Sequence, residues 1–266
     1  MLEIFASSFM IRAFIAGFAI ALIAPLIGTF LVVKRFSLIA DTLSHIALAG
    51  VAIGLLTSIY PLITTLVITI VASLVIERLR TSKKIPGEAV LAMFLPGGLA
   101  LSIVLMSIAH GFNVNLFSYL FGSISTVTTG DLWLIAGLGL VTCLTIGLLY
   151  QKLLFVSFDE ESAQVSGIGV GIINNLLIVL TAITVSLAMR VVGILLIGAL
   201  MVIPVVTAMQ LGKSFKATII LSVGLALFSV FSGLFAAFYL NLPAGGAIVL
   251  IALAVFGIST VFNKSN

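Results

Sequence analysis

Two side chains that combine well in metal coordination stand four residues apart in an apolar stretch. Asp41 and His45 have the spacing that places both side chains on one face of a helix. A carboxylate oxygen and an imidazole nitrogen suit a borderline divalent ion such as zinc or manganese. Ala49 and Ala52 continue this face with small side chains, so a second helix or a cavity can come close. The alternative is a structural pair in which Asp41 orients His45.

Other chemistries lack their characteristic residues. The chain has two histidines, and they do not form the H-E-x-x-H pattern of a metalloprotease. Ser44 adjoins His45, but adjacent residues point to different faces of a helix and do not make a nucleophile and base. No G-x-x-x-x-G-K-[ST] nucleotide-binding loop occurs. The single cysteine, Cys143, cannot form a disulfide within the chain. The sequence therefore predicts no catalytic residues and no bound cofactor.

Composition indicates that a membrane surrounds the pair. Of the 266 residues, 62% are hydrophobic and 8% are charged, whereas a soluble domain has about 25% charged residues. Apolar runs of about 20 residues recur, each long enough to cross roughly 30 Å of hydrocarbon as a helix. Helices satisfy their own backbone hydrogen bonds in lipid. The sequence predicts an all-α polytopic membrane protein with one transmembrane domain over 1–266, whose first helix is a permanent span, not a cleaved signal.

Nine transmembrane helices are predicted from hydropathy and breaker residues. They cover 12–33, 38–58, 60–78, 88–108, 131–150, 168–189, 191–210, 216–239 and 244–262. Arg12 and Arg190 fall on one side of this arrangement, and all other basic residues fall on the opposite side. Positive charge accumulates in cytoplasmic loops, so the N-terminus is predicted outside and the C-terminus in the cytoplasm. The residues predicted on the cytoplasmic side are Lys34, Arg35, Arg78, Arg80, Lys83, Lys84, Lys152, Lys213, Lys216 and Lys264.

Two connections between the predicted spans are long. The outer connection, 110–130, is semi-apolar and predicts an interfacial or partly inserted helix. The inner connection, 151–167, contains Asp159, Glu160 and Glu161, which are three of the eight acidic residues, beside the apolar Phe155 and Val165. This composition favours a docking element for a cytoplasmic partner, and a solvated loop is the alternative.

Several residues within the spans carry weaker expectations. Asp131 is predicted to be the N-cap of the fifth span. The neighbours Asn174 and Asn175 are predicted to form a hydrogen-bonding pair between helices. Three prolines are expected to kink or unwind the helices in which they lie, either where the backbone lines a cavity or for packing alone. These prolines are Pro25, Pro96 and Pro204.

Four sequence stretches, in the same order along the chain, resemble one family of transporters. They are KRFSLIADTLSHIALAGVA at 34–52, SYLFGSI at 118–124, SFDEESAQVSG at 157–167 and VVGILLIGALMVIP at 191–204. Together they resemble the permease subunits of zinc/manganese-type ABC transporters, and the likeness extends over nearly the whole chain. The runs ADTLSH and YLFGSI are more similar to the zinc branch than to the manganese branch.

The resemblance implies a function, partners and site residues. The chain is expected to be the permease domain of a prokaryotic plasma-membrane importer for divalent transition metals, with zinc ahead of manganese or iron. Expected partners are a second permease in a homodimer, cytoplasmic ATPase subunits that hydrolyse ATP, and an extracytoplasmic solute-binding protein; nucleic acid is not among them. The resemblance places Asp41 and His45 on the metal path. It assigns ATPase docking to the loop Phe158, Asp159, Glu160, Glu161, Ser162, Ala163, Gln164, Val165, Ser166 and Gly167.

Two other functional classes remain as alternatives. An ion-coupled secondary transporter is compatible with nine spans and broken helices, but it favours more intramembrane carboxylates than Asp41 alone. An intramembrane enzyme lacks the paired residues described above. The ABC permease is therefore the preferred interpretation.

Overall fold

Helices make up the regular structure of the chain. The computed structural model describes residues 8–82, 84–108, 116–123, 125, 127–189, 191–194, 196–212 and 214–263, and no strand occurs among them. Eleven helices are found in these residues. They are α1 Ser8–Val33, α2 Leu38–Thr57, α3 Pro61–Thr81, α4 Gly87–Ile108, α5 Leu116–Phe121, α6 Thr129–Phe158, α7 Glu160–Val165, α8 Val170–Ala188, α9 Ile197–Met209, α10 Phe215–Leu240 and α11 Ala244–Asn263.

The long helices agree with the predicted spans. Eight helices in the described part of the chain are long and apolar enough to cross a membrane: α1, α2, α3, α4, α6, α8, α10 and α11. The all-α polytopic fold is therefore confirmed. Pro25, Pro96 and Pro204 lie inside α1, α4 and α9, each of which continues as a helix through its proline. The short α5 lies in the predicted outer connection, whereas residues 109–115, with His110, lie outside the described residues.

The seventh predicted span, 191–210, differs from the structure at its start. Its helix, α9, begins at Ile197 and has only 13 residues. The preceding residues adopt turns because their backbone packs against the end of α5 and Gly122, the residue that follows it. The amide of Ile194 donates to the carbonyl of Tyr119 at 2.9 Å, and Gly193 has a φ of 90°. A Cβ atom on Gly193 would lie 2.4 Å from the amide nitrogen of Gly122, so only glycine permits this approach.

The fifth predicted span, 131–150, is too short at both ends. Its helix, α6, begins at Thr129 and continues for 30 residues to Phe158, so the prediction that a connection starts at 151 is wrong. The expectation that Asp131 is the N-cap is also wrong. Thr128 is the N-cap, and its hydroxyl accepts a bond from the Asp131 amide at 3.1 Å. The Asp131 carboxylate accepts one from the Thr128 amide at 2.9 Å, which completes a capping box.

The centre of the molecule is formed by α1, α2 and α8, which are mostly buried. Glycines let neighbouring helices approach them closely. A Cβ on Gly28 of α1 would lie 2.0 Å from the Met201 carbonyl oxygen of α9, and one on Gly50 of α2 would lie 2.6 Å from the Cα of Thr65 in α3. By contrast, most residues of α4, α6 and α11 are partly or fully exposed, and only 22–28% of their apolar stretches are buried. This distribution suits helices surrounded by lipid or by another membrane chain, where small residues permit close packing.

The orientation and the number of crossings make a testable prediction. In the nine-span arrangement, Lys84 faces the cytoplasm and Leu242 faces outside. Leu242 follows α10, so it is on the opposite side from Lys84 only if the chain crosses the membrane through the short α9. Single cysteines at the two positions, in a Cys143→Ser background, are expected to react with an impermeant maleimide from opposite sides. Reaction from the same side would show that α9 and its preceding turns do not cross.

Candidate functional site

The two donors found by spacing lie at the start of α2. Asp41 is in the first turn of this helix, and His45 follows one turn later. Both are partly buried, whereas the residues between them, Thr42, Leu43 and Ser44, are buried. The helix therefore presents the carboxylate and the imidazole on one side, as the spacing predicts.

The carboxylate of Asp41 lies against the beginning of α9. A Cβ atom built on Gly198 would be only 1.9 Å from the Asp41 Oδ1 atom, so any side chain at position 198 would collide with the carboxylate. Gly198 is the second residue of α9, and the partial positive charge of a helix N-terminus favours a nearby anion. The late start of α9 thus provides both space and a favourable field for Asp41.

The imidazole of His45 has an unused ring nitrogen. Its Nδ1 atom is buried and has no hydrogen-bond partner. The Ser102 hydroxyl of α4 lies 3.2 Å from the backbone carbonyl oxygen of His45 and 2.7 Å from that of Gly98, so it contacts the backbone of α2 and not the ring. Asp41 is not bonded to this nitrogen, so the interpretation in which it orients His45 through Nδ1 is not supported. A buried nitrogen without a partner is available to a ligand.

One chain supplies only part of a coordination shell. Among the residues described here, no group of three or more His, Cys, Asp or Glu side chains is close enough to hold a metal ion together. Asp41 and His45 therefore need additional ligands, such as water, backbone carbonyls or donors from another chain.

The pair lies near the start of α2, of which Asp41 is the fourth residue and His45 the eighth. From Gly198, which contacts Asp41, to the last residue of α9, Met209, the helix extends about 16 Å at 1.5 Å per residue. Met209 lines a cavity of about 410 Å³ together with Arg35 and Phe158, both predicted to be cytoplasmic. Arg35, six residues before Asp41, lines the same cavity, so the turn between α1 and α2 and the first turn of α2 separate this cavity from Asp41.

The predicted acidic loop is largely the short helix α7. Asp159 is its N-cap and accepts a bond from the Ser162 amide at 2.9 Å. Hydrogen bonds from the Ser162 hydroxyl and amide hold the pKa of Asp159 below its usual range. Val165 is 90% exposed and Phe158 is 64% exposed, whereas Ala163 is buried. One side of α7 therefore faces the protein, and the other presents apolar and acidic side chains together.

The side chain of Glu160 is bonded inward, unlike those of the exposed residues around it. Its Oε1 atom accepts a bond from Lys34 Nζ at 2.6 Å and one from Asn174 Nδ2 at 3.2 Å. The Lys34 side chain is only 7% exposed. Burial lowers the pKa of Lys34 although Glu160 opposes the shift. Burial would raise the pKa of Glu160, but bonds from Lys34 and Asn174 and the charge of Arg80 outweigh it and lower that pKa.

This cluster was not found from the sequence. Lys34 was used there only to orient the chain, and Asn174 was predicted to pair between helices with Asn175 beside it. Asn174 instead accepts a bond from Lys34 at 2.6 Å, and Asn175 is exposed. The sequence shows Lys34 at the end of one predicted span and Asn174 inside another. It does not show that the two side chains are in contact.

Comparison with known proteins agrees with this architecture. A family model described as the ABC 3 transport family matches residues 6–263. The manganese import system permease protein ScaB of Streptococcus gordonii is 33% identical over 94% of this chain and 90% of its own length. The high-affinity zinc uptake system membrane protein ZnuB of Haemophilus influenzae is 29% identical over 93% of this chain and 95% of its own length.

A solved structure shares the fold along nearly the whole chain. The structure described as PsaBC from Streptococcus pneumoniae in complex with Fab has a TM-score of 0.87 and 31% identity. The similarity covers 97% of this chain and 95% of that chain.

The family match over 6–263, together with the eight long apolar helices of the described residues, makes the chain a membrane permease subunit, not an enzyme. The chain belongs to the ABC 3 transport family. It is a multi-pass permease of the prokaryotic plasma membrane, acts in a metal-ion importer, and works with ATPase and substrate-binding partners. The family recognised from the sequence is confirmed, and the ion-coupled secondary transporter is no longer needed as an alternative.

The contact between α2 and α9 makes a prediction about Gly198. Gly198→Ala is expected to displace the Asp41 carboxylate, because the new Cβ would collide with it. Metal uptake per folded molecule is expected to fall about tenfold. Gly97→Ala is the matched control, because a Cβ there meets no atom within 4 Å. Uptake is measured in membrane vesicles and normalised to folded permease. Equal uptake by both variants would show that Asp41 does not need the space at Gly198.

Proposed function

We propose that this permease conducts a divalent transition-metal ion along a path on which Asp41 and His45 are ligands. The observation that carries the proposal is the position of the pair: the carboxylate lies at the start of α9, and a buried imidazole nitrogen one turn away has no partner. Ionisable side chains inside a membrane protein are costly and are found mainly on transport paths or against partners.

The chemistry of the pair explains how it would assist transport. A divalent ion that leaves water loses hydration energy, and protein ligands must replace the lost water oxygens. Asp41 would supply negative charge and an oxygen, and His45 would supply a nitrogen. Because two donors do not enclose an ion, water or further groups would complete the shell and allow release toward the cytoplasm.

Zinc is the proposed preferred cargo. An imidazole nitrogen is a better ligand for zinc than for the harder manganese ion, whereas a carboxylate suits both. The ADTLSH and YLFGSI runs also support the zinc branch. Relatives described as manganese and as zinc permeases match this chain at similar identity, so the preference rests on the donor set and on these two runs.

The proposed assembly is a homodimer of this chain with two ATPase subunits docked on the segment Phe158–Gly167. Val165, Phe158 and the free face of α7 are exposed, and the acidic N-cap leaves negative charge beside them. An apolar centre with a charged rim is typical of a protein interface. Glu160 and Ala163 belong to the same segment but face the permease itself.

Substitution of the two donors tests the proposed metal path. Asp41→Asn keeps the size of the side chain but removes its charge, and His45→Ala removes a nitrogen ligand. Each is expected to lower ATP-dependent uptake of radioactive zinc and manganese by about tenfold or more, because loss of even an indirect partner costs 10–100-fold in metal affinity. Protein levels in the membrane should stay near normal.

The same experiment separates the proposal from a purely structural pair, which would lose folded protein but keep normal uptake per folded molecule. A further variant, His45→Asp, replaces nitrogen by oxygen and is expected to lower the ratio of zinc to manganese uptake. If the ratio is unchanged and manganese is the better cargo in the unsubstituted protein, the proposed preference for zinc is wrong.

Docking on α7 is tested with a residue whose side chain is almost fully exposed. Val165→Asp adds a charge at a 90% exposed apolar position and is expected to remove the ATPase from the purified complex while the permease remains folded. Glu88→Gln is the control, because Glu88 is an exposed carboxylate in the first turn of α4. Subunit ratios after purification decide the outcome. Retention of the ATPase by Val165→Asp would place the docking surface elsewhere.

A further inference from the structure

We infer that Glu160 is a positioning residue that joins the ATPase-facing helix α7 to the segment in front of Asp41, so that movement of the ATPase reaches the metal path through Lys34. The inference rests on the proposed function, because it requires α7 to be the docking helix and Asp41 to lie on the path. It assigns Glu160 a task distinct from docking.

The first step is the contact between α7 and the end of α1. Lys34 directly follows α1, and its ammonium group bonds both Glu160 Oε1 and Asn174 Oδ1 at 2.6 Å. Glu160 is the only carboxylate that forms an ion pair with Lys34 in the described ranges. A buried ammonium group that loses its counter-ion is strongly destabilised. This cost favours keeping Lys34 and Glu160 together when α7 moves.

A second contact braces the same carboxylate from α3. Arg80 bonds the Glu77 carboxylate with two nitrogens at 2.7 Å and lies 3.7 Å from Glu160. Its guanidinium group also lies 5.2 Å from the centre of the Phe36 ring, in the link between α1 and α2. Bidentate carboxylate pairing and ring stacking hold a guanidinium in one geometry. Glu160 is thus contacted by Lys34, which follows α1, by Arg80 of α3 and by Asn174 of α8.

The last step leads from Lys34 to Asp41 through a short hydrogen-bonded turn. The amide of Phe36 donates to the carbonyl of Leu31 at 2.9 Å, and the amide of Ala40 donates to that of Ser37 at 3.3 Å. Arg35, directly before Phe36, has a φ of 56°. This left-handed conformation fixes the direction of the turn. The helix that carries Asp41 begins at Leu38. A displacement of Lys34 would therefore move the start of α2 with it.

The decisive variant keeps a negative charge beside Lys34 but removes the bond between Lys34 and α7. In Glu160→Leu/Asn174→Asp, the new carboxylate at 174 stands where an oxygen already accepts from Lys34, while α7 loses its polar link. In proteoliposomes with the ATPase, the solute-binding protein and radioactive zinc, this variant should retain bound ATPase and ATP hydrolysis. The number of zinc ions moved per ATP should fall about tenfold, because α7 no longer pulls on Lys34 through Glu160. Glu88→Leu is the matched control and should remain normal.

Each other outcome overturns the inference in a recognisable way. Normal zinc transport per ATP would mean that Glu160 only neutralises Lys34. Loss of the ATPase, as expected for Val165→Asp, would make Glu160 a docking residue. Failure of the proposed function would appear elsewhere: the unsubstituted complex would show no ATP-dependent uptake, or Asp41→Asn would transport normally.

A measurement that does not depend on these variants tests the same rigid connection. Spin labels at Leu38→Cys and Gln164→Cys, in a Cys143→Ser background, report the distance between the start of α2 and the exposed face of α7. Both positions are exposed. The distance is expected to be the same with and without bound ATP, although the ATPase moves between these states. A distance that changes with nucleotide would show that α7 moves independently of the metal path.

Discussion

An ionisable carboxylate inside an apolar helix bundle must be compensated, and the architecture around Asp41 depends on this constraint. In this bundle, the N-terminus of α9 and the space left by Gly198 accommodate the carboxylate, rather than a side chain of opposite charge. The first turn of α9 lies at the carboxylate, and Gly198 leaves the room that a side chain would fill. That geometry requires α9 to begin at Ile197. The late start in turn requires the turns at 191–194, where the amide of Ile194 is bonded to the carbonyl of Tyr119 in α5.

At the end of the bundle predicted to face the cytoplasm, charged side chains compensate each other directly. Lys34 is buried against Glu160 and Asn174, and Arg80 pairs with Glu77 beside them. These contacts join α7 to three transmembrane helices. The two clusters are separated by the turn between α1 and α2. In the proposed function, an ion would meet a site with an unused ring nitrogen, while α7 would be held to the permease by the ion pair of Glu160 with Lys34.

Much of this arrangement could be predicted from the sequence, because it depends on local spacing and composition. The low share of charged residues is sufficient to predict a membrane fold, and the four-residue spacing is sufficient to place Asp41 and His45 on one face of α2. The acidic segment does lie between two long helices, although α6 extends to Phe158 and shortens the predicted connection. Asp131 was placed near a helix start, but its cap role failed because Thr128, three residues earlier, offers the N-cap hydroxyl.

The remaining features depend on contacts between distant parts of the chain. The start of α9 is set by Tyr119 and Gly122, which lie far away in sequence. Hydropathy alone extends the helix back to 191, since the turn residues are as apolar as the helix. Likewise, Glu160 and Glu161 are adjacent and chemically equal, and only the position of Lys34 makes one of them internal. A periodic pattern identifies the face of one helix, but it does not identify the group on the opposite helix.

The most direct test of the account is the location of the metal ion itself. A structure of the zinc-loaded permease complex, with anomalous scattering recorded at the zinc edge, would show the ion relative to α2. The account predicts a peak within about 2.0–2.2 Å of an Asp41 carboxylate oxygen and a His45 ring nitrogen, the usual zinc–ligand distances. The peak should be absent when His45 is replaced by alanine. A zinc peak on the transport path that touches neither side chain would contradict the central claim.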